Sequence, residues 1–134
     1  MKVLHVIIEK APDNYSAYIK EVDGVITTGK TVDEIKRNIK EAVRLFVDVT
    51  NEYGTKMPKA LQGEYTFEFQ MDIQSLLGIY QGIFTKAGLQ RITGVNQKLL
   101  CHYASGLKKP RESQRKKIEA ALHNLGSELS SISL

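Results

Sequence analysis

Four polar side chains lie close together on one short predicted helix, and their chemistry suits the edges of DNA bases. Glutamine can form two hydrogen bonds to adenine, and lysine can reach the acceptor atoms of guanine. Leu100 and Tyr103 are spaced to face the protein interior, which turns the neighbouring polar residues outward or sideways. The candidate base-contacting residues are therefore Gln97, Lys98, Cys101 and His102.

Local signals on both sides of this helix fix its position in the chain. Asn96 is a predicted N-cap for a helix over Gln97–Ser105, and Gly106 is a predicted left-handed C-cap. Gly94 lies in the turn before this helix, where a positive φ favours glycine. This pattern predicts a helix-turn-helix, in which the second helix can lie in the major groove of DNA.

The rest of residues 72–134 predicts three more helices. Asp72 is the predicted N-cap of the first helix, whose inward face carries Ile73, Leu76, Leu77, Tyr80 and Ile83. Thr85 is the predicted N-cap of the second, over Lys86–Ile92. The last helix follows Pro110, with Ile118, Ala121, Leu122 and Leu125 on its apolar face. An all-α domain is therefore expected over residues 72–134.

Two positions of the helix-turn-helix are less typical. A small residue is usual four positions before the turn glycine, but Gln90 stands there, so either Gly88 is the site of close helix packing or the two helices cross differently. Leu99 occupies a position where a small hydroxyl residue is usual. It is expected either to contact a thymine methyl group or to pack inside the protein.

Charge divides the chain into two halves of opposite sign. Residues 1–72 carry 10 Lys and Arg against 12 Asp and Glu, a net charge of −2, whereas residues 73–134 carry 9 against 3, a net charge of +6. A basic C-terminal half suits an anionic polymer such as DNA. Polar side chains and helix ends beside the predicted reading helix are expected to contact phosphates. These are Thr85, Asn96, Lys108, Lys109, Arg111 and Arg115.

Residues 1–71 predict a small α+β domain. Alternating apolar residues predict strands near 3–8, 15–22 and 25–28, with Asp23-Gly24 as a hairpin turn. Thr31 and Glu34 form a predicted capping box for a helix whose apolar stripe ends at Val49. Tyr65, Phe67 and Phe69 alternate with polar residues in a fourth strand. The order βββαβ predicts one helix across one face of a small sheet.

The segment from Gly24 to Glu34 resembles a family signature. Its sequence GVITTGKTVDE matches the pattern G-x-x-T-x-G-x-T-x-x-E of HicB-type antitoxins, and Ile39-Lys40-Glu41-Ala42 continues the similarity. The C-terminal half resembles the phage-repressor, or Xre-like, helix-turn-helix domain that some members carry. The resemblance covers almost the whole chain, and the order of the two motifs makes it more specific than either motif alone.

The resemblance implies an N-terminal partial ribonuclease-H-like fold that has lost catalytic capacity and that binds and blocks a HicA-like, mRNA-cleaving toxin. It also implies a C-terminal domain that represses the chain's own operon through operator DNA, with base contacts at Gln97, Lys98 and His102. An acidic surface would cover a basic, RNA-binding toxin. The candidate toxin-binding residues are Glu9, Asp13, Tyr15, Tyr18, Glu21 and Asp23. A homodimer or higher homo-oligomer is expected because one short helix reads only a few base pairs.

Other function classes have weaker support in the sequence. The alternative is an orphan helix-turn-helix regulator whose N-terminal domain only oligomerises or senses a ligand. Ribonuclease-H-like catalysis needs clustered carboxylates, and the strand residues Glu9, Glu21, Glu64 and Glu68 form no predicted cluster, so no enzyme is expected. Cys101-His102 lacks a second Cys/His pair, so neither a metal nor a cofactor is expected. The single cysteine and the lack of a long apolar run predict a cytoplasmic protein without membrane contact.

Overall fold

A computed structural model describes residues 1–134 and has α+β architecture, with a four-stranded mixed sheet followed by helices. The chain divides into two compact units, Met1–Ser75 and Leu76–Leu134. The predicted domain boundary lies between residues 71 and 72. None of the five helices is long and apolar enough to cross a membrane.

The sheet of the first unit has the strand order β3-β2-β1-β4. The strands are β1 (Lys2–Lys10), β2 (Tyr15–Ile19), β3 (Ile26–Gly29) and β4 (Tyr65–Met71). β1 and β2 pair antiparallel, as do β2 and β3, whereas β4 returns parallel to β1. The predicted βββαβ order is therefore confirmed.

The two faces of this sheet differ because side chains alternate along each strand. Leu4, Val6 and Ile8 of β1 are buried on the face that the helix α1 (Val32–Glu52) covers, next to Ala17 and Ile19 of β2. This helix contributes Ile35, Ile39 and Val43 to the core. The other face of the sheet carries partly exposed and exposed side chains, and we call it the open face. Its members on β1 and β2 are Val3, His5, Ile7, Glu9, Ser16 and Tyr18.

Thr31 is the N-cap of α1 as predicted, but the Glu34 carboxylate bonds to the Lys30 amide and not to the Thr31 amide of a full capping box. Thr31 Oγ1 accepts a hydrogen bond from the Glu34 amide at 3.1 Å, and the Glu34 carboxylate accepts from the Lys30 amide at 2.9 Å. The predicted apolar stripe is wrong at its end, because Val49 is 50% exposed and Thr50 is buried in its place. Thr50 tolerates burial since its hydroxyl donates to the Phe46 carbonyl at 2.8 Å.

Replacing Gly29 with alanine is expected to destabilise the first unit by about 1–3 kcal/mol through overpacking. A β-carbon at Gly29 would lie 2.9 Å from Ile35 Cγ1 and 3.2 Å from the Ile35 backbone nitrogen, so the start of α1 would have to shift. Denaturant unfolding of the full chain measures the change. Gly126→Ala is the control, because nothing lies within 4 Å of that site in the helix α5 (Glu112–Ser130). Gly126→Ala is expected to raise the free energy of unfolding by about 0.5–1 kcal/mol. Equal effects of the two variants would contradict the steric explanation.

Helices make up the rest of the chain. They are α2 (Ile73–Ile79), α3 (Lys86–Thr93), α4 (Gln97–Ser105) and α5 (Glu112–Ser130). The α3 helix packs against both α4 and α5. The predicted inward anchors of α4 and its preceding turn are confirmed, since Val95, Leu100 and Tyr103 are all buried.

Several predicted boundaries are wrong. β2 ends at Ile19 instead of Val22, because the chain turns there and buries Val22 and Val25 in the core. The helix after Asp72 ends at Ile79, and Ile83, predicted to face inward, is 73% exposed. Glycines at 78 and 82 disfavour its continuation. The loop from residue 54 to 63 contains one short 3-10 turn, Lys59–Leu61.

Candidate functional site

The exposed surface of α4 carries the residues expected to read DNA bases. Gln97, Lys98 and Cys101 are exposed on α4, whereas Leu100 is buried. His102 differs from them because it is half-buried and its Nδ1 is a buried atom without a hydrogen-bond partner. The structure thus brings all four candidates onto one short helix.

Local backbone geometry sets both ends of α4. Asn96 Oδ1 accepts from the Leu99 amide at 2.8 Å, which caps the first turn. Gly94 has a φ of +75° and Gly106 a φ of +82°, so both are in the left-handed conformation that the sequence predicts. The helix is therefore held at its two ends by interactions within a few residues of sequence.

Two side chains form hydrogen bonds across the α3–α4 turn, and neither contact was predicted from the sequence. Thr93 Oγ1 donates to the Leu89 carbonyl at 2.6 Å and accepts from the Val95 amide at 3.1 Å. Gln90 Oε1 accepts from the Gln97 amide at 2.9 Å. The large residue at position 90 therefore bridges the turn. Gly88 is exposed, so the alternative of close helix packing at that glycine is wrong.

The two helix N-caps among the phosphate candidates already use their side-chain oxygens. Thr85 Oγ1 accepts from the Gly88 amide at 2.9 Å, just as Asn96 Oδ1 accepts from Leu99. The groups left for a phosphate are the free backbone amides of each helix start and the Asn96 side-chain amide. These positions suit an anion because the helix dipole adds to the direct hydrogen bonds.

The basic phosphate candidates are all exposed. They are Lys108, Lys109, Arg111 and Arg115. Glu112 Oε1 lies 3.8 Å from Arg115 Nη2 and 3.3 Å from Lys116 Nζ. Exposed ion pairs of this kind stabilise by only about 0–1 kcal/mol, so Arg115 can leave the Glu112 carboxylate and bind a phosphate instead.

Lys117 is a further cation beside the turn. A β-carbon at Gly94 would lie 3.4 Å from Lys117 Nζ, so this amine sits over the turn that leads into α4. From the sequence alone, the basic run Arg115-Lys116-Lys117 is equally compatible with a solvated helix face and with a phosphate-binding patch. The placement of Lys117 against the turn is set by the packing of α5 on α3, which no local sequence signal contains.

The six candidate toxin-binding residues do not form one patch. Glu9 and Tyr18 lie on the open face of the sheet, whereas Tyr15 lies on the face that α1 covers, where burial raises the pKa of its hydroxyl. Asp13 and Asp23 stand in the turns before and after β2, at opposite ends of that strand. Only part of the predicted set can therefore contact a single partner surface.

An apolar row crosses the open face next to the acidic residues. Ile7 of β1 pairs with Tyr18 of β2, which pairs with Ile26 of β3. Ile26 is 66% exposed and Tyr18 is 36% exposed, so the row is accessible to a partner. Sequence reasoning missed Ile7 and Ile26 as candidates, although the period of two along β1 and β2 places them on the face of Tyr18.

Two carboxylates converge on His5 on this open face. His5 Nδ1 lies 2.6 Å from Glu21 Oε2, and the His5 amide donates to Glu21 Oε1 at 2.7 Å. Glu68, which pairs with His5 across β1 and β4, has Oε2 at 3.8 Å from His5 Nε2. Partial burial raises the pKa of Glu21, but the hydrogen bonds from His5 outweigh it and hold that pKa below its usual value. The chain has no group of three or more His, Cys, Asp or Glu side chains that could hold a metal ion.

Replacing Glu21 with glutamine is expected to reduce the free energy of unfolding by about 1 kcal/mol or less at neutral pH, because the bonds to His5 are partly solvated. The folded-state pKa of Glu21 lies below its usual value of 4.5, so its contribution is present above about pH 4.5. The contribution is lost as the pH falls through the folded-state pKa. Unfolding curves of wild type and variant should therefore converge in acid. Glu9→Gln is the control, and a difference that does not depend on pH would contradict this explanation.

Comparison with known proteins gives one short similarity. The chain is 36% identical over 45 residues to a protein of Helicobacter pylori strain J99 described as a UPF0150 protein. The aligned region covers 34% of this chain and 62% of that protein, so the match spans less than two thirds of the relative. No model of a known protein family matches the chain. The comparisons therefore suggest a relationship without establishing membership of a family.

Proposed function

We propose that this chain is a HicB-type antitoxin of a type II toxin–antitoxin module. Its first unit binds and neutralises a HicA-like, mRNA-cleaving toxin, and its second unit represses its own operon. The observation that carries the proposal is the α3–turn–α4 geometry, with a left-handed Gly94, a capped α4 and an exposed row of polar side chains on that helix. The short similarity to a UPF0150 protein is compatible with an antitoxin-type function.

The DNA-binding role uses α4 as a reading helix in the major groove. Gln97 and Lys98 stand at its exposed N-terminal turn, the part of such a helix that meets base edges. The surrounding exposed cations supply contacts to phosphates, which give affinity and orientation but no sequence preference. Two copies bound to a two-fold symmetric operator would read enough base pairs for specific repression.

The toxin-binding role uses the open face of the sheet. The apolar row Ile7, Tyr18 and Ile26 offers contact area, and Glu9, Glu21 and Glu68 add negative charge around it. A ribonuclease that binds mRNA needs a basic surface, so an acidic partner can cover that surface and exclude RNA. The proposed role is binding, and no side chain of the first unit is assigned to catalysis.

The sheet topology supports the ribonuclease-H-like part of the proposal. The resemblance implies a partial version of that fold, and the chain has three antiparallel strands, one helix and a last strand parallel to the first. The signature segment spans β3 and the start of α1. Its Gly29 contacts Ile35, and its Thr31 and Glu34 cap the helix, so these signature residues serve the fold.

Co-expression with the product of a short neighbouring reading frame tests the antitoxin role. We expect a stable complex and relief of growth arrest, and we expect Glu9→Lys/Glu68→Lys to weaken the complex by about tenfold or more through lost charge complementarity. Glu52→Lys/Glu41→Lys, on α1, is the matched control with the same change in charge. If no complex forms while the chain still binds its own promoter, the orphan regulator is the correct reading.

A further inference from the structure

The strand β4 is an edge of the sheet without the usual protection against pairing. Natural edge strands are usually short, or carry charged side chains (lysine above all), proline or a bulge that prevents contact with another chain, and the one charged residue of β4 is Glu68. Tyr65–Met71 is seven residues long and contains no Lys, Arg, Pro or Gly. Its register with β1 continues without a bulge from Tyr65 to Met71. An edge of this kind is a template for another strand.

The pairing with β1 identifies the backbone groups of β4 that are free. The Lys2 amide donates to the Glu64 carbonyl at 3.3 Å, and in a parallel ladder the direction of bonding alternates from one residue to the next. The even-numbered residues of β4 therefore bond to β1. The amides and carbonyls of Tyr65, Phe67 and Phe69 point outward, away from the sheet.

The opposite edge of the sheet is protected. β3 is only four residues long, and the Asn38 side chain donates to the Thr28 carbonyl at 2.8 Å. Because Val25 bonds to β2 through its carbonyl, Thr28 is one of the residues whose backbone faces outward. The Asn38 side chain thus bonds to an outward-facing carbonyl of β3, whereas no side chain bonds to the outward-facing carbonyls of β4.

We propose that β4 pairs antiparallel with β4 of a second copy of this chain, across a two-fold axis at Phe67. In this register Phe67 faces the partner's Phe67 and Tyr65 faces the partner's Phe69, each as a hydrogen-bonded pair. Thr66 then lies opposite the partner's Glu68. The two sheets join into one eight-stranded sheet. This interface goes beyond the proposed function and does not depend on it.

Charge excludes one neighbouring register, and the aromatic row favours a second copy. An axis at Glu68 would place two carboxylates side by side, which is unfavourable. With the axis at Phe67, the half-exposed aromatic row Tyr65, Phe67 and Phe69 meets the same row of the partner on the helix side of the sheet. Aromatic pairs across strands are among the stabilising ones.

The helix α1 borders this edge and shows its direction. Lys36 Nζ lies over the Phe69 ring, 5.4 Å from its centroid, whereas Asp48 lines an open groove of about 280 Å³ together with Lys40, Arg44 and Tyr65. The helix therefore runs antiparallel to β4. Since Tyr65 faces the partner's Phe69, the Asp48 end of each helix lies on the side of the partner's Lys36. The free backbone groups and the aromatic row of β4 thus carry the pairing with a second copy, because most of the charged groups beside the groove are cationic.

Light scattering and analytical ultracentrifugation of the full chain test the proposal. Thr66→Glu places a carboxylate opposite the partner's Glu68 at two symmetric positions. We therefore expect the dissociation constant of the assembly to rise about tenfold and its mass to halve. Thr66→Lys should keep or strengthen the assembly, and Thr66→Glu/Glu68→Lys should restore it. Both Thr66 and Glu68 are exposed, and circular dichroism checks that each variant is folded. A monomeric wild type, or an assembly whose mass ignores all three changes, would overturn the proposal.

Cysteine cross-linking tests the register directly. In a Cys101→Ser background, Thr66→Cys/Glu68→Cys brings the two cysteines of different copies to a Cα separation of about 4.5 Å, within the range that a disulfide spans. We expect a covalent dimer on oxidation. Glu68→Cys/Gln70→Cys is the control, because those residues meet only if the axis moves to Phe69. Cross-linking of the control pair alone would overturn the register, and cross-linking only after a different protein is added would overturn the second copy as the occupant.

Discussion

Replacing Gln97 and Lys98 together with alanine is expected to weaken binding to the operator by about 100-fold or more, with little change in binding to unrelated DNA. Each good base contact is worth about 1–3 kcal/mol of discrimination, so losing two per reading helix removes most of the sequence preference. Both side chains are exposed on α4 and neither packs in the core, so the fold should not change. Fluorescence anisotropy with the promoter duplex and a scrambled duplex measures both affinities.

Two control variants separate base contacts on α4 from general effects of charge and composition. Lys108→Ala removes an exposed cation outside α4, and it should weaken binding to both duplexes alike and lower the slope of log affinity against log salt by roughly one. Gln70→Ala/Lys56→Ala removes the same two residue types from the first unit and should leave binding unchanged. Unchanged operator binding by the Gln97/Lys98 variant would contradict α4 as the reading helix.

Elements whose ends are set by neighbouring residues could be predicted from the sequence. The bounds of α4 follow from the Asn96 cap and the left-handed Gly106, both of which act within the helix ends themselves. The start of α1 follows in the same way from Thr31 and Glu34. The sequence also contains the alternation that places Tyr15 and Tyr18 on opposite faces of β2, although the candidate toxin surface ignored it.

Contacts between distant segments could not be predicted, because they depend on register and packing. Glu68 reaches His5 only because β4 pairs parallel to β1 in one register, and Glu21 reaches it only because β2 ends early. The Gln90–Gln97 bond requires the actual angle of the α3–α4 turn. The free edge of β4 likewise becomes visible only once the strand order is known.

The second prediction with a large expected effect concerns the core beneath α4, the proposed reading helix. Leu100 is fully buried on α4, whereas Leu107, just after that helix, is 71% exposed. Removing a buried leucine side chain costs about 2–5 kcal/mol, because the lost transfer free energy is joined by the cost of the cavity. A unit as small as Leu76–Leu134 has a total stability of about 3–9 kcal/mol, so this loss is a large fraction of it.

Leu100→Ala is therefore expected to open the second unit and abolish operator binding, while Leu107→Ala changes the free energy of unfolding by about 0.5 kcal/mol or less. Hydrogen exchange read residue by residue measures the effect, since it reports each unit of the full chain separately. Amides of α3, α4 and α5 should lose protection in Leu100→Ala, and those of β1 should keep it. Equal loss of protection in both units would show that they unfold as one. The two proposed activities, toxin binding and repression, could then not be separated by a change in this core.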